Sequence, residues 1–268
     1  MNMMRFAEKR DFPAVRALWE TCFPDEGGFN DWFFAHCYKE EHTLLCLEDE
    51  TLVAMVQMLP YRMTAGGVSR EVTYIYGACT DPAHRRKGHM ARLLERSFEL
   101  DRKAGRMASV LIPAEEWLFD FYRPFGYEPF FPVKRREITR AAGESEAPRR
   151  LTAGDVPALA ALYDKLAPKC RIERDTAYWN TQLELFDTLG AGVYGWSDGE
   201  TLTGYAFCWE DNAQEALGVS GTQMQGLLDM LGRETLTVTE IGAETALGVC
   251  KWHEKADETA GYMNLMLN

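Results

Sequence analysis

The chain has 268 residues, 46% of them hydrophobic and 26% charged, which suits two globular domains of ordinary size and excludes the disordered and fibrous classes. Its net charge of −12 is uneven: residues 150–268 hold 18 acidic against 8 basic side chains, a field that repels nucleic acid and attracts cations such as amines. The seven cysteines are scattered without a C-x-x-C pair, no run approaches the ~18 apolar residues of a membrane span, and charge comes too early in MNMMRFAEKRDF for a signal peptide. The expectation is a cytoplasmic protein with reduced thiols and neither a membrane nor a nucleic-acid partner.

In chain order, MMRFAEKRDFPAVRALWETCF predicts a short strand and then a helix with Phe12, Val15, Leu18, Trp19 and Cys22 on one face. NDWFFAHCYKE predicts a second helix. Residues 43–60 read as two strands around an acidic turn, and RMTAGGVSREVTYIYGACTDP as another pair around Gly66-Gly67, so an antiparallel sheet is expected. The helix after Pro82 carries Met90, Leu93, Leu94 and Phe98 as a stripe and stops at Gly105. MASVLIPA is a buried strand parallel to the one before it. EEWLFDFYRPFGYEPFF gives a short helix that closes at Gly126, then a strand from Tyr127.

Residues 138–149 have the Ala, Gly, Ser and Pro content of a linker, which sets domains at 1–137 and 150–268. The second part repeats the opening scheme, with Asp155 as N-cap of a helix bearing Leu159, Leu162, Tyr163 and Leu166, and strands at AGVYGWSD, TLTGYAFCWE and TLTVTEIG. It reads as a divergent copy of the first α/β unit. The apolar ending GYMNLMLN reads as a buried final strand.

The chemistry concentrates in YGACTDPAHRRKGHMARLL, residues 76–94. Arg85, Arg86, Lys87 and Gly88 occupy the start of a helix, where free backbone N–H groups and the helix dipole favour an anion. Gly88 lets the backbone approach a bulky phosphate, and a pyrophosphate is the best match. The plainer alternative, a solvated basic helix start, is about as frequent.

Arg85-Arg86-Lys87-Gly88-His89-Met90 resembles the R/Q-x-x-G-x-G/A signature of the GNAT acetyltransferases, with Met90 at the position of the last small residue. Phe121-Tyr122-Arg123-Pro124-Phe125-Gly126-Tyr127 is similar to that family's late helix and F-G-Y turn. The order of these elements, and a second GNAT-like unit, are closest to the Eis-type acetyltransferases, without room for their third, sterol-carrier-like domain. The resemblance implies an α/β GNAT fold, a mixed central sheet flanked by helices, in tandem with a second divergent GNAT-like domain. It also implies acetyl-CoA as co-substrate, held by Arg85, Arg86, Lys87, Gly88, His89, Met90 and Ala91, with Ala78, Cys79 and Thr80 along the acyl and pantetheine portions and Ala114 and Glu115 beside the arm. Tyr122 would protonate the departing thiolate, the reading favoured by its spacing to the turn over one more core aromatic in a run with Trp117, Phe119, Phe121 and Phe125.

The implied reaction transfers an acetyl or short acyl group directly to a primary amine of a small molecule or peptide. The rivals are a non-catalytic acyl-CoA-binding regulatory module and an aminoacyl-tRNA-dependent transferase, the latter disfavoured by the acidic second half. His36, His42, His84, His89 and His253 contain no H-x-x-x-H pair, so no metal is expected. No side chain of the first domain is an evident general base. The terminal carboxylate of Asn268 is the candidate, by analogy with Eis-type enzymes. The acceptor and the oligomeric state, a homo-oligomer included, stay open.

Overall fold

A computed structural model describes residues 2–267. The elements of the first half are β1 (Asn2–Phe6), α1 (Phe12–Cys22), α2 (Phe29–His36), β2 (Thr43–Glu48), β3 (Thr51–Ala65), β4 (Val68–Thr80), α3 (His89–Ala104), β5 (Ala108–Leu111), α4 (Trp117–Tyr122) and β6 (Glu128–Thr139). There follow β7 (Arg149–Arg150), α5 (Val156–Leu166), β8 (Arg171–Ile172), α6 (Thr176–Thr188), β9 (Gly192–Asp198), β10 (Thr201–Trp209), β11 (Asn212–Leu217), α7 (Gly221–Leu231), β12 (Thr235–Ile241) and β13 (Thr245–Trp252).

These elements pack as two compact units. The first runs to Phe130 and takes in Gly248–Thr259; the second takes Phe131–Leu247 and the tail from Ala260. The division therefore falls inside β6, ahead of the cut at residue 137 that composition suggests, and a late segment of chain returns to the first unit.

In the first unit β1, β2, β3 and β4 form an antiparallel meander. Gly66 and Gly67, at φ +58° and +76°, supply the two left-handed positions that a tight hairpin between β3 and β4 demands. β5 then pairs with β4 in parallel, and the returning β13 pairs antiparallel with β5 from Val249↔Leu111 to Trp252↔Ala108. His253 fastens the returned strand: its Nε2 lies 3.1 Å from Oδ2 of the buried Asp101, whose Oδ1 accepts from Thr73 at 2.6 Å. Helix α3 starts at Gly88 and stops at Gly105, both left-handed, and buries His89, Leu93, Leu94, Ser97, Phe98 and Asp101. Met90 is only half-buried; His89 takes its place in the stripe.

The strands of the second unit also pair in both senses. β12 pairs antiparallel with β6 and parallel with β11, and β11, β10, β9 and β7 continue antiparallel. Its core joins Trp196, Leu227, Leu228, Leu236 and Val238 under α7. Helix α5 buries Val156, Leu159, Leu162 and Tyr163, whereas Leu166, expected on the same face, is exposed.

Part of the segment read as a linker is built into this unit. Ile138 and Thr139 lie in β6, and Glu146 O accepts from Trp196 Nε1 at 2.9 Å. A Cβ on Gly226 of α7 would stand 2.0 Å from that carbonyl, so only glycine admits the crossing chain.

The tail is buried as expected, but not as a strand. Tyr262 makes a single bridge to Arg171, and Leu265 and Leu267 are left-handed at φ +53° and +68°, which no ladder accommodates. Side chains hold the backbone instead: Tyr178 Oη donates to Leu265 O at 2.8 Å and Arg174 Nη2 to Asn264 O at 3.1 Å.

Candidate active site

The site is built where β4 outlasts its parallel neighbour. The ladder between β4 and β5 ends at Tyr74↔Val110, yet β4 continues to Thr80. Residues Ile75 to Thr80 keep their pairing to β3 on one side and, among the described residues, have no strand on the other edge. On the β3 side the register shifts between Met55↔Cys79 and Gln57↔Tyr76, so Gly77 and Ala78 together oppose Val56. This bulge bends β4 just before the predicted Ala78, Cys79 and Thr80, the kind of device that re-aims backbone groups beside a site.

Past Thr80 the chain makes a short turn at Pro82–His84, capped by Asp81 Oδ1, which accepts from Ala83 N at 2.8 Å. Arg85, Arg86, Lys87 and Gly88 follow, all exposed. Arg85 Nε donates to Thr80 O at 3.2 Å and so closes the loop on the strand it leaves. Arg86 and Gly88 are left-handed at φ +62° and +76°. The first helical bond of α3 runs from Arg92 N to Gly88 O at 3.2 Å, and no side chain caps the helix, which leaves the N–H groups of His89, Met90 and Ala91 available. A Cβ on Gly88 would meet only Arg92 Nη1 at 3.6 Å, so the space above the loop is open. Free N–H groups, a helix dipole and three exposed cations fit a pyrophosphate.

His89 divides its roles. Its ring is buried, with Nδ1 2.8 Å from Arg92 Nη2 and 3.6 Å from Cys46 Sγ, and burial followed by the charge of Arg92 lowers its pKa. Its backbone N–H can serve the anion site, but its side chain belongs to the core. Arg92 also donates to Lys87 O at 3.3 Å and ties the loop to the helix.

Tyr122 ends α4 and is 7% exposed, packed edge-on against Tyr127 with ring centroids 5.6 Å apart. It is near enough to Tyr74, on the last rung of the β4–β5 ladder, to act on that residue's ionisation. Tyr127 is pinned in turn, its hydroxyl 2.6 Å from Ser109 Oγ on β5. Burial pushes the Tyr122 pKa up to about 12, so its oxygen keeps its proton at neutral pH. Among the described residues its hydroxyl has no hydrogen-bond partner.

Ala114 and Glu115 lie in the exposed loop beyond β5, which stops at Leu111, rather than at a strand end. The Glu115 carboxylate accepts from Trp117 Nε1 at 2.7 Å. Asn268 lies outside the described residues. Sequence reading gave Cys22 only a place on the apolar face of the first helix and passed over Gly77 and Arg92, although a glycine within an otherwise regular strand pattern is itself the signal of a bulge.

A β4 that runs past its ladder with β5, a bulge within it and a cationic glycine loop opening α3 make up the site. Residues 3–130 match the family model described as an acetyltransferase (GNAT) domain, and this part of the chain is a GNAT acetyltransferase domain. A protein of Enterococcus faecalis V583 described as a probable N-acyltransferase is 15% identical and aligns at a TM-score of 0.73 over 94% of this chain and 73% of its own. A GCN5-related N-acetyltransferase from Anabaena variabilis gives 0.72 at 16% identity over 93% and 72%, and Eis1 from Mycobacterium abscessus gives 0.62 at 15% over 94% and 73%. At such identities the likeness shows the fold, and its coverage takes in the second unit as well as the first. No curated protein matches the chain in sequence. No helix among the described residues is long and apolar enough to cross a membrane.

Proposed function

We propose that the chain is an N-acetyltransferase that takes an acetyl or short acyl group from acetyl-CoA to a primary amine of a small molecule or peptide. The observation that carries this reading is the exposed Arg85-Arg86-Lys87-Gly88 loop, with uncapped N–H groups, at the end of a strand that runs on without its parallel neighbour. Those groups would hold the pyrophosphate, and the free edge of β4 at Ala78, Cys79 and Thr80 would receive the pantetheine arm by backbone hydrogen bonds. Ala114 and Glu115 would flank that arm.

Acetyl-CoA supplies the acyl group already activated as a thioester. A backbone N–H beyond the bulge would steady negative charge on the acyl oxygen. Tyr122 holds a proton on its hydroxyl oxygen, ready for the sulfur that leaves; a positioned acid of this kind typically contributes ~10²–10⁴ in rate. The amine must arrive neutral or lose its proton before attack, and the acidic second half favours its approach as a cation.

The test is thiol release from acetyl-CoA with polyamines, aminoglycosides and lysine peptides as acceptors. Turnover on one class supports the reading. Acetyl-CoA binding without turnover on any of them would leave a non-catalytic acyl-CoA-binding module.

A further inference from the structure

Two thiols meet at the root of the cationic loop. Cys22 ends α1 and is half-buried; Cys79, on β4, is buried. Cys22 Sγ donates to Thr80 O at 3.6 Å, and Arg85 Nε donates to that same carbonyl, so one oxygen holds sulfur and guanidinium side by side. Cys79 directly precedes Thr80 on β4, and the two sulfurs are near enough to act on each other's ionisation. The pair is unequal. Cys79 first, and then Arg85, hold the Cys22 thiol down at about 7 against burial, while the contact with Cys22 and burial push Cys79 well up. At neutral pH Cys22 therefore carries much thiolate and is reachable, the two conditions for thiol–disulfide exchange, and Cys79 waits beside it.

We propose that Cys22 and Cys79 form a thiol–disulfide exchange pair, closed by low-molecular-weight disulfides of the glutathione type, whose closure loosens the neighbouring cationic loop. The Cys22 thiolate attacks one sulfur of the disulfide, forming a mixed disulfide and expelling one glutathione thiolate. Once Cys22 is capped, the contact that raised Cys79 is gone. Cys79 gives its proton to solvent and its sulfur displaces the second glutathione thiolate, leaving a Cys22–Cys79 bond. The protein's two thiols lose two electrons and the small disulfide gains them as two thiols. Afterwards the Cys22 sulfur has no proton for Thr80 O and no charge to hold Arg85. The exchange stands on the sulfurs alone; its effect on acetyl-CoA rests on the function proposed above.

The experiment incubates the reduced full-length protein with oxidised glutathione, maps cysteine peptides by mass spectrometry, and titrates acetyl-CoA into the reduced, oxidised and re-reduced forms. Wild type should yield a Cys22–Cys79 linked peptide, Cys79→Ala should retain one glutathione on Cys22, and Cys22→Ala should leave Cys79 unmodified. Oxidation should weaken acetyl-CoA binding about tenfold, reversed by dithiothreitol. Differential alkylation of wild type alone, with Cys22 and Cys79 protected together, supports the pair should a variant fail to fold. Glutathione spread evenly over the cysteines, or no linked peptide, overturns the exchange pair. A linked peptide with unchanged acetyl-CoA affinity overturns the coupling to the loop. A linked peptide from a reduced protein that never binds acetyl-CoA refutes the proposed function and leaves the exchange pair standing.

Discussion

Gly77 and Trp19 meet so closely that a Cβ on the glycine would stand 2.1 Å from Cζ3 of the indole. Trp19 cannot yield, since it stacks on Phe33 at 4.6 Å and donates from Nε1 to Asn30 Oδ1 at 2.7 Å. The bulge that aims Ala78, Cys79 and Thr80 is thus set by the packing of α1 on the back of β4.

Gly77→Ala combines this overlap with a left-handed backbone at φ +53°. The expected loss is about 2–4 kcal/mol of stability, read from denaturation midpoints, together with weaker acetyl-CoA binding. An alanine variant as stable as wild type would show that the helix moves aside freely.

Tyr122→Phe keeps the ring against Tyr127 and removes only the hydroxyl. Initial-rate kinetics should show kcat reduced ~10-fold or more with the KM for acetyl-CoA nearly unchanged. Equal kcat at the optimal pH would return Tyr122 to the core.

Arg174 of the second unit is buried against Glu215, with contacts of 2.5 and 2.7 Å, and Glu215 also accepts from Tyr205 at 2.7 Å and Tyr262 at 2.6 Å. Arg174→Met leaves that carboxylate buried with two phenols and removes the shorter of two hydrogen bonds to the carbonyl of Asn264. A loss of about 3–5 kcal/mol is expected in urea denaturation. A change near zero would show that the buried Arg174–Glu215 pair adds nothing to stability.

Alkylation of Cys22 by iodoacetamide, followed peptide by peptide across pH, should rise with a midpoint near 7. Cys79→Ala should move that midpoint up toward an ordinary thiol, because the contact with Cys79 is the largest cause of the depression. Cys208, which burial pushes up to about 12, serves as the unreactive internal control.

What the sequence disclosed was local. The Gly66-Gly67 hairpin and the span of α3 between Gly88 and Gly105 are written in residues that only those conformations need, and β5 is a nearly continuous apolar run, interrupted by Ser109, that is buried throughout. Gly77 was passed over because YIYGACT keeps a strand pattern on either side of it, and the glycine, the one mark of the bulge, does not name the indole of Trp19 that requires it. His89 was missed as a core residue because a histidine at a helix start looks polar until Cys46 and Arg92 receive it. The return of Gly248–Thr259 to the first unit is a pairing across the length of the chain, which no local period records. Burial of the tail was legible from its apolar residues; its irregular path was not, because Arg174 and Tyr178 set it from distant positions.

The central claim is that the loop before α3 holds the pyrophosphate of acetyl-CoA, and calorimetric titration of acetyl-CoA into wild type, Gly88→Ala and Gly88→Glu tests it most directly. Wild type should bind. Alanine, whose Cβ meets only Arg92 Nη1 at 3.6 Å, should weaken binding modestly through the left-handed backbone alone. Glutamate, which sets a carboxylate where the phosphates approach, should reduce affinity ~100-fold or more in a protein that stays folded. Equal affinity of the folded glutamate variant and wild type would contradict the account.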